Sequence, residues 1–184
     1  MRSIKKGGYT VKFNQNQRLV FIALLAAQAV VLSLLEQAIP TPFMIAPGAK
    51  LGLANMITCV ALFKLPIKDT VAIIISRLLL ASFLGGTLST LLFSLAGATL
   101  SFMGMYGVYK LGPGRVSMVG ISVTGAVLHN FGQLLIASYI AGTWNVLLYL
   151  PALTIAGTLS GIAVGVAASY LLKALNQIPI WKHF

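Results

Sequence analysis

The sequence predicts an all-α integral membrane protein, a compact bundle of six transmembrane helices with both termini cytoplasmic. Three observations predict it. Of 184 residues, 58% are hydrophobic and only 8% charged, whereas a soluble domain carries about a quarter charged residues, so polar surface is too scarce to cover a water-soluble globule. The chain divides into apolar runs, most of them near the ~20 residues that span a bilayer core, separated by Gly, Pro or charged punctuation. The basic residues then fall almost entirely on one side of that division.

Residues 1–17 read as a basic cytoplasmic tail. Helix 1 is expected over 18–39: Arg18, an apolar run from Leu19 to Leu35, then Glu36, one of two acidic residues in the chain. The basic start and the Ala27-x-Ala29 pair imitate a signal peptide, but the run continues to Leu35, so an uncleaved first helix is expected. Pro40, Pro42 and Pro47 interrupt the chain before helix 2 at about 50–63. Lys64-Leu65-Pro66 precedes helix 3 (68–84), and Gly85-Gly86 precedes helix 4 (88–110). The stretch Leu111–Arg115 separates helix 5 (117–141), and Gly142-Thr143 separates helix 6 (145–173). One membrane domain, 18–173, is thus followed by a short cytoplasmic tail, 174–184.

Arg2, Lys5, Lys6, Lys12 and Arg18, then Lys64 and Lys68, Lys110 and Arg115, Lys173 and Lys182, all fall on one side. Lys50 alone falls on the other, and Arg77 lies within helix 3. Positive charge marks the cytoplasmic side, which makes the helix number even. Tyr106, Tyr109 and Trp181 fall near the inner boundary, Trp144 and Tyr149 near the outer, as interfacial aromatics do. The net charge of +11 is spread between apolar runs rather than along one aromatic-bearing face, which argues against a nucleic-acid partner.

Helix 2 is the anomaly. Leu51 to Phe63 makes about 20 Å of helix, short of a ~30 Å core. Pro40–Lys50 is therefore expected to cap the bundle from outside or dip into it, since irregular backbone survives at membrane depth only against protein or a wet cavity. A tilted helix 2 is the plainer alternative. Polar residues gather in the middle and outer half: Glu36, Asn55, Arg77 and Asn145, with His129 and Gln133 on one stripe of helix 5 that also holds the deeper Ser122, and Asn130 beside it. Intramembrane polar groups normally face a bundle interior. Glu36, Lys50, Asn55, Arg77, His129, Asn130, Gln133 and Asn145 are thus the candidate substrate-binding residues. Arg77 suits an anionic group, and Phe43, Met44 and Met56 suit an apolar body. The competing reading pairs Glu36 with Arg77 and uses the amides as interhelical hydrogen-bond glue.

Small residues form two patterns, Ala23-x-x-x-Ala27 on helix 1 and Gly157-x-x-x-Gly161-x-x-x-Gly165 on helix 6; both allow close helix approach. The glycine row fits internal packing, and the alanine pair fits a docking face for another subunit. Enzyme signatures are missing: no phosphate-binding loop, no zinc spacing, no His-Glu-x-x-His. Cys59 stands alone in an apolar run, as a small buried side chain. Neither a metal nor a cofactor is expected, and chemistry on a diphosphate generally needs magnesium held by carboxylates, which Glu36 and Asp69 cannot share from opposite sides.

Glu36 with Ile39-Pro40-x-Pro42, the block Pro47–Asn55, Arg77, Gly86-Thr87 and the block Gly125–Gln133 resemble the family labelled both heptaprenyl diphosphate synthase component I and Gx transporter, over most of 18–172. That family is similar in size and topology to the substrate-binding S-components of energy-coupling factor (ECF) importers. The resemblance implies a multi-pass protein of the bacterial plasma membrane that captures a small, partly apolar, anionic metabolite, such as an isoprenoid or quinone precursor or a vitamin-like compound. It also implies docking, through Ala23 and Ala27 in the position of the family's helix 1 alanine motif, on a transmembrane T-component driven by two cytoplasmic ATPases. Two alternatives stay open: a membrane accessory subunit of a prenyl diphosphate synthase, and a stand-alone secondary transporter in which Glu36 or His129 titrates.

Overall fold

The computed structural model describes residues 15–38, 52–112 and 115–177. They form six α-helices: α1 (Gln15–Ala38), α2 (Asn55–Lys64), α3 (Ile67–Gly85), α4 (Leu88–Tyr109), α5 (Met118–Ala141) and α6 (Leu150–Gln177). A 3-10 helix, Trp144–Tyr149, joins the last two. There is no strand among the described residues. The helices α1, α4 and α5, and the Trp144–Gln177 segment, are long and apolar enough to cross a membrane. The 19-residue α3 carries Lys68, Asp69 and Arg77, and α2 has only ten residues.

The breaks fall where the punctuation put them, each for a local reason. Leu65 is extended after α2, and Pro66 leads into α3, where a missing N–H costs nothing. Thr87 caps α4 in a reciprocal box: the Thr90 N–H donates to the Thr87 hydroxyl, and the Thr87 N–H donates to Oγ1 of Thr90 at 2.7 Å. The Ser117 hydroxyl accepts from the Gly120 N–H and starts α5. Gly142 ends α5 in the left-handed conformation.

Two boundaries differ from expectation. Helix 2 starts at Asn55 rather than near 50, because Gly52 adopts φ +78° and a turn follows, with the Asn55 N–H donating to the Gly52 carbonyl. At ~1.5 Å per residue this leaves about 15 Å of helix. Helix 6 starts at Leu150 rather than 145. An α-helix running through this region would place Pro151 in its interior, where the ring clashes with the carbonyl four residues back. The chain takes 3-10 geometry up to Tyr149, and Pro151 falls in the first turn of α6.

The shortest helix is the most enclosed. Ile57 through Leu62 are all buried, and α2 packs on each of the other five helices. A helix that is apolar all round has no face to leave uncovered. Near its C-terminal end, Cys59, Val60 and Leu62 meet Met105 of α4, Ile121 of α5 and Ala168 of α6. On its other flank Ile57 and Ala61 meet Phe21, Leu25 and Ala29 of α1 and Ile73 of α3. Among the described residues, the helix α1 by contrast packs only on α2 and α3.

The glycine row of α6 sets the α5–α6 distance. A Cβ on Gly161 would lie 2.7 Å from Cα of Val123, and one on Gly165 2.7 Å from Cα of Val119. Apart from Arg77, the described cations mark one end of the bundle. Arg18 forks onto Asp69 with Nε–Oδ2 2.7 Å and Nη2–Oδ1 2.6 Å, tying the first turns of α1 and α3. Lys64 at the end of α2 donates to Oδ1 of Asn176 near the end of α6, and Lys110 sits over the Tyr106 ring.

Gly161→Ala should lower stability by about 1–3 kcal/mol, since the methyl meets backbone that cannot rotate away. Gly107→Ala, on the open side of α4 with nothing within 4 Å, should be neutral or slightly stabilising. Melting temperatures of the two purified variants in one detergent give the comparison; equal melting would contradict the close α5–α6 contact.

Candidate functional site

At the end of the bundle away from the cations, five helices surround a polar cavity. From the last turns of α1 come Ser33, Glu36 and Gln37, which share a face because residues three and four apart stack on a helix. From α2 comes its first residue, Asn55, with Gly52 just before it. Arg77, Leu78, Ala81 and Ser82 come from α3, Thr90 and Ser94 from the start of α4, and His129 from α5. The cavity volume is ≈ 20 Å³, room for one water molecule.

Several contacts explain why the side chains stand where they do. The Glu36 carboxylate is buried and accepts the Gly52 backbone N–H through Oε1, which stitches the end of α1 to the approach to α2. Gly52 serves twice there: it turns with positive φ, and a Cβ on it would stand 3.0 Å from Nδ2 of Asn55. The His129 imidazole lies directly over Gly97 of α4, where a Cβ would come within 2.9 Å of the ring. Arg77 is 5% exposed and Asn55 3%. Nε of Arg77 and Nδ2 of Asn55 have no hydrogen-bond partner, although buried donors are nearly always satisfied.

Of the residues expected to bind substrate, Glu36, Asn55, Arg77 and His129 therefore line one cavity. Three described residues do not. Asn130 is buried but turned toward α6, where its Nδ2 donates to the Leu153 carbonyl at 3.0 Å, so it straps α5 to α6. Gln133 is buried one turn beyond His129 without reaching the cavity wall, and both its amide atoms lack a hydrogen-bond partner. Asn145 is exposed in the 3-10 helix, with its N–H on the Thr143 hydroxyl; the break forced by Pro151 carries it away from the bundle interior. Lys50, the Pro40–Lys50 cap, Phe43 and Met44 lie outside the described residues. Met56 packs into the two core clusters around α2 rather than over the cavity.

Ser33, Gln37, Ser82, Thr90 and Ser94 were not legible as site residues. Hydroxyls are ordinary in membrane helices, and here only their convergence marks them. The spacing signal was there in Ser33, Glu36 and Gln37, one face of one helix turn. The helix α1 also presents Ala23 and Ala27 on its exposed side, opposite the buried Phe21, Leu25 and Ala29. Among the described residues no group of three or more His, Cys, Asp or Glu is gathered to hold a metal ion.

A helical chain with several membrane-length apolar helices and charged groups drawn into its interior is a multi-pass membrane protein. Its sequence matches the family described as heptaprenyl diphosphate synthase component I over residues 25–171, and the chain belongs to that family. No curated protein and no solved structure matches it.

Asn130→Ala should cost about 0.6–1.7 kcal/mol, the range for interhelical hydrogen bonds in membranes, by freeing the Leu153 carbonyl. The same substitution should leave the cavity wall intact. A lower melting temperature would be the readout, and an unchanged one would remove Asn130 from the α5–α6 strap.

Proposed function

We propose that this chain is the substrate-binding membrane subunit, or S-component, of an ECF-type importer, with six spans and both termini cytoplasmic. In this reading the cation-bearing end faces the cytosol. The polar cavity then opens outward and receives a small solute bearing an acidic group. Its present volume holds a water, so loading requires the elements around Glu36 and Gly52 to part. The chain supplies no nucleotide-binding loop, so energy comes from a T-component and two cytoplasmic ATPases. The α1 face bearing Ala23 and Ala27 is the docking surface. The observation that carries the reading is the placement of Arg77 and Glu36, buried on one cavity at the end opposite the cations, as a captured-solute site requires.

The family's description favours a second reading, an accessory subunit of a prenyl diphosphate synthase. Catalysis within this chain itself is not part of the proposal. Arg18, the partner of Asp69, and Glu36 stand 18 residues apart on one helix, about 27 Å of rise, so the two carboxylates cannot share a magnesium ion.

Purification of the tagged protein from its native membrane should bring the T-component and ATPase subunits with it. Ala27→Trp should lose them while melting at the same temperature, because Ala27 is exposed on α1. Equal recovery of ATPases by wild type and variant would remove the docking face. A soluble prenyltransferase subunit recovered in their place would favour the second reading.

A further inference from the structure

Charge at the cation-bearing end is not balanced within the chain, and this holds for the whole sequence. The chain has 13 Lys and Arg but only two acidic side chains, Glu36 and Asp69. The segments outside the described residues contain no Asp or Glu, so wherever they lie they add no side-chain carboxylate. Asp69 is taken by Arg18 at 2.6 Å. Glu36 belongs to the other end of α1, beside the cavity. Lys68, Lys110, Arg115 and Lys173 are exposed, and no side-chain carboxylate of this chain is left to meet them. Their counter-anions come from outside it.

The geometry sets these cations in one layer. Phe63 and Tyr109 meet edge to face with ring centroids 5.1 Å apart, so the residues that follow them, Lys64 and Lys110, leave α2 and α4 at the same end. Lys64 donates to Asn176, one turn beyond Lys173 on α6. Nζ of Lys110 stands 4.8 Å from the centre of the Tyr106 ring, and Nζ of Lys173 stands 5.8 Å from that of Tyr170. Tyrosine at the ends of membrane helices sits at headgroup depth, which brings both ammonium groups to the level of lipid phosphates. The surface beside them is apolar: Leu111 is 57% exposed and Tyr170 67%. Water and mobile ions can solvate the charges, but they leave that surface uncovered. An acidic protein or a polynucleotide supplies the anion without a hydrocarbon body.

We propose that this end of the bundle is a binding surface for anionic phospholipids. Lys110 and Lys173 take the headgroups, Arg115 at the far side of the α4–α5 turn adds to the field, and the acyl chains lie along the apolar faces of α4 and α6. Juxtamembrane cations are drawn to anionic lipid in this way. The surface lies at the opposite end from the polar cavity, and it does not depend on the importer reading.

Native mass spectrometry of the full chain supplies the test, with release from micelles that hold equal amounts of phosphatidylglycerol and phosphatidylcholine of the same acyl chains. Wild type should retain phosphatidylglycerol in preference. Lys110→Gln and Lys173→Gln should each lower that preference about fivefold, the worth of one cation beside an anionic surface, and the double variant about twenty-five-fold. Lys110→Arg and Lys173→Arg should keep it. Melting in phosphatidylcholine nanodiscs should be the same for all of them, because both side chains are exposed. Should the double variant fail to fold, Arg115→Gln supplies a further single removal of charge and should lower the preference likewise. Glycerol 3-phosphate, a headgroup without acyl chains, should not displace the bound lipid. Equal retention of the two lipids by wild type, or a preference that the Gln variants keep, overturns the proposal. Displacement by glycerol 3-phosphate also overturns it, by reducing the surface to a general anion site.

Discussion

A ten-residue helix that is apolar on every side has to be surrounded, and the rest of the bundle is arranged to surround it. The helix α2 is too short to cross a ~30 Å core and too hydrophobic to meet water. It touches all five other helices. It also starts only at Asn55, after the turn at Gly52. Backbone there needs protein or water around it. The Glu36 carboxylate meets part of that need by accepting the Gly52 N–H, and the polar cavity lies beside it. Packing and the site thus share a boundary: the core clusters around α2 give way at Asn55 to the polar cavity.

The two acidic residues divide the labour between the ends of the bundle. Asp69 is held by a forked Arg18 contact joining the starts of α1 and α3. Such a two-point guanidinium–carboxylate pair fixes geometry as well as distance. Glu36, on the same helix as Arg18, lies about 27 Å further along and faces Arg77 across the cavity wall. The helix α1 therefore carries a tie at one end, half of the site at the other, and an exposed alanine pair between them. Among the described residues it packs only on α2 and α3, which suits it to serve a partner and the cavity together.

Much of this was written in the pattern of the chain, and what was not has physical reasons. Lys64-Leu65-Pro66, Gly85-Gly86 and Gly142-Thr143 end helices because proline, glycine and charge act locally, and local effects survive into the fold. The convergence of Glu36, Asn55, Arg77 and His129 followed from depth alone, since a charge in a membrane helix has few places to point. Depth does not give azimuth, however. Asn130 neighbours His129 in sequence, yet 100° of helical rotation turns it to the Leu153 carbonyl. Asn145 was misplaced because Pro151 acts backwards by four residues and breaks the helix before it. The hydroxyls of Thr90 and Ser94 were silent because serine and threonine commonly satisfy themselves on their own helix, as Thr99 and Thr154 do here.

In the proposed importer, water reaches the bundle interior beside Asn55 from one side of the membrane, and thiol labelling measures this directly. Ser94 and Ser101 lie two turns apart on the inward face of α4, the first on the cavity and the second buried in the core. The single native cysteine, Cys59, is fully buried and should stay silent. With a small charged methanethiosulfonate added to sealed right-side-out vesicles, Ser94→Cys should label and Ser101→Cys should not. Labelling of Ser101→Cys or Cys59, or labelling of Ser94→Cys only after the cytoplasmic face is opened, would contradict the account.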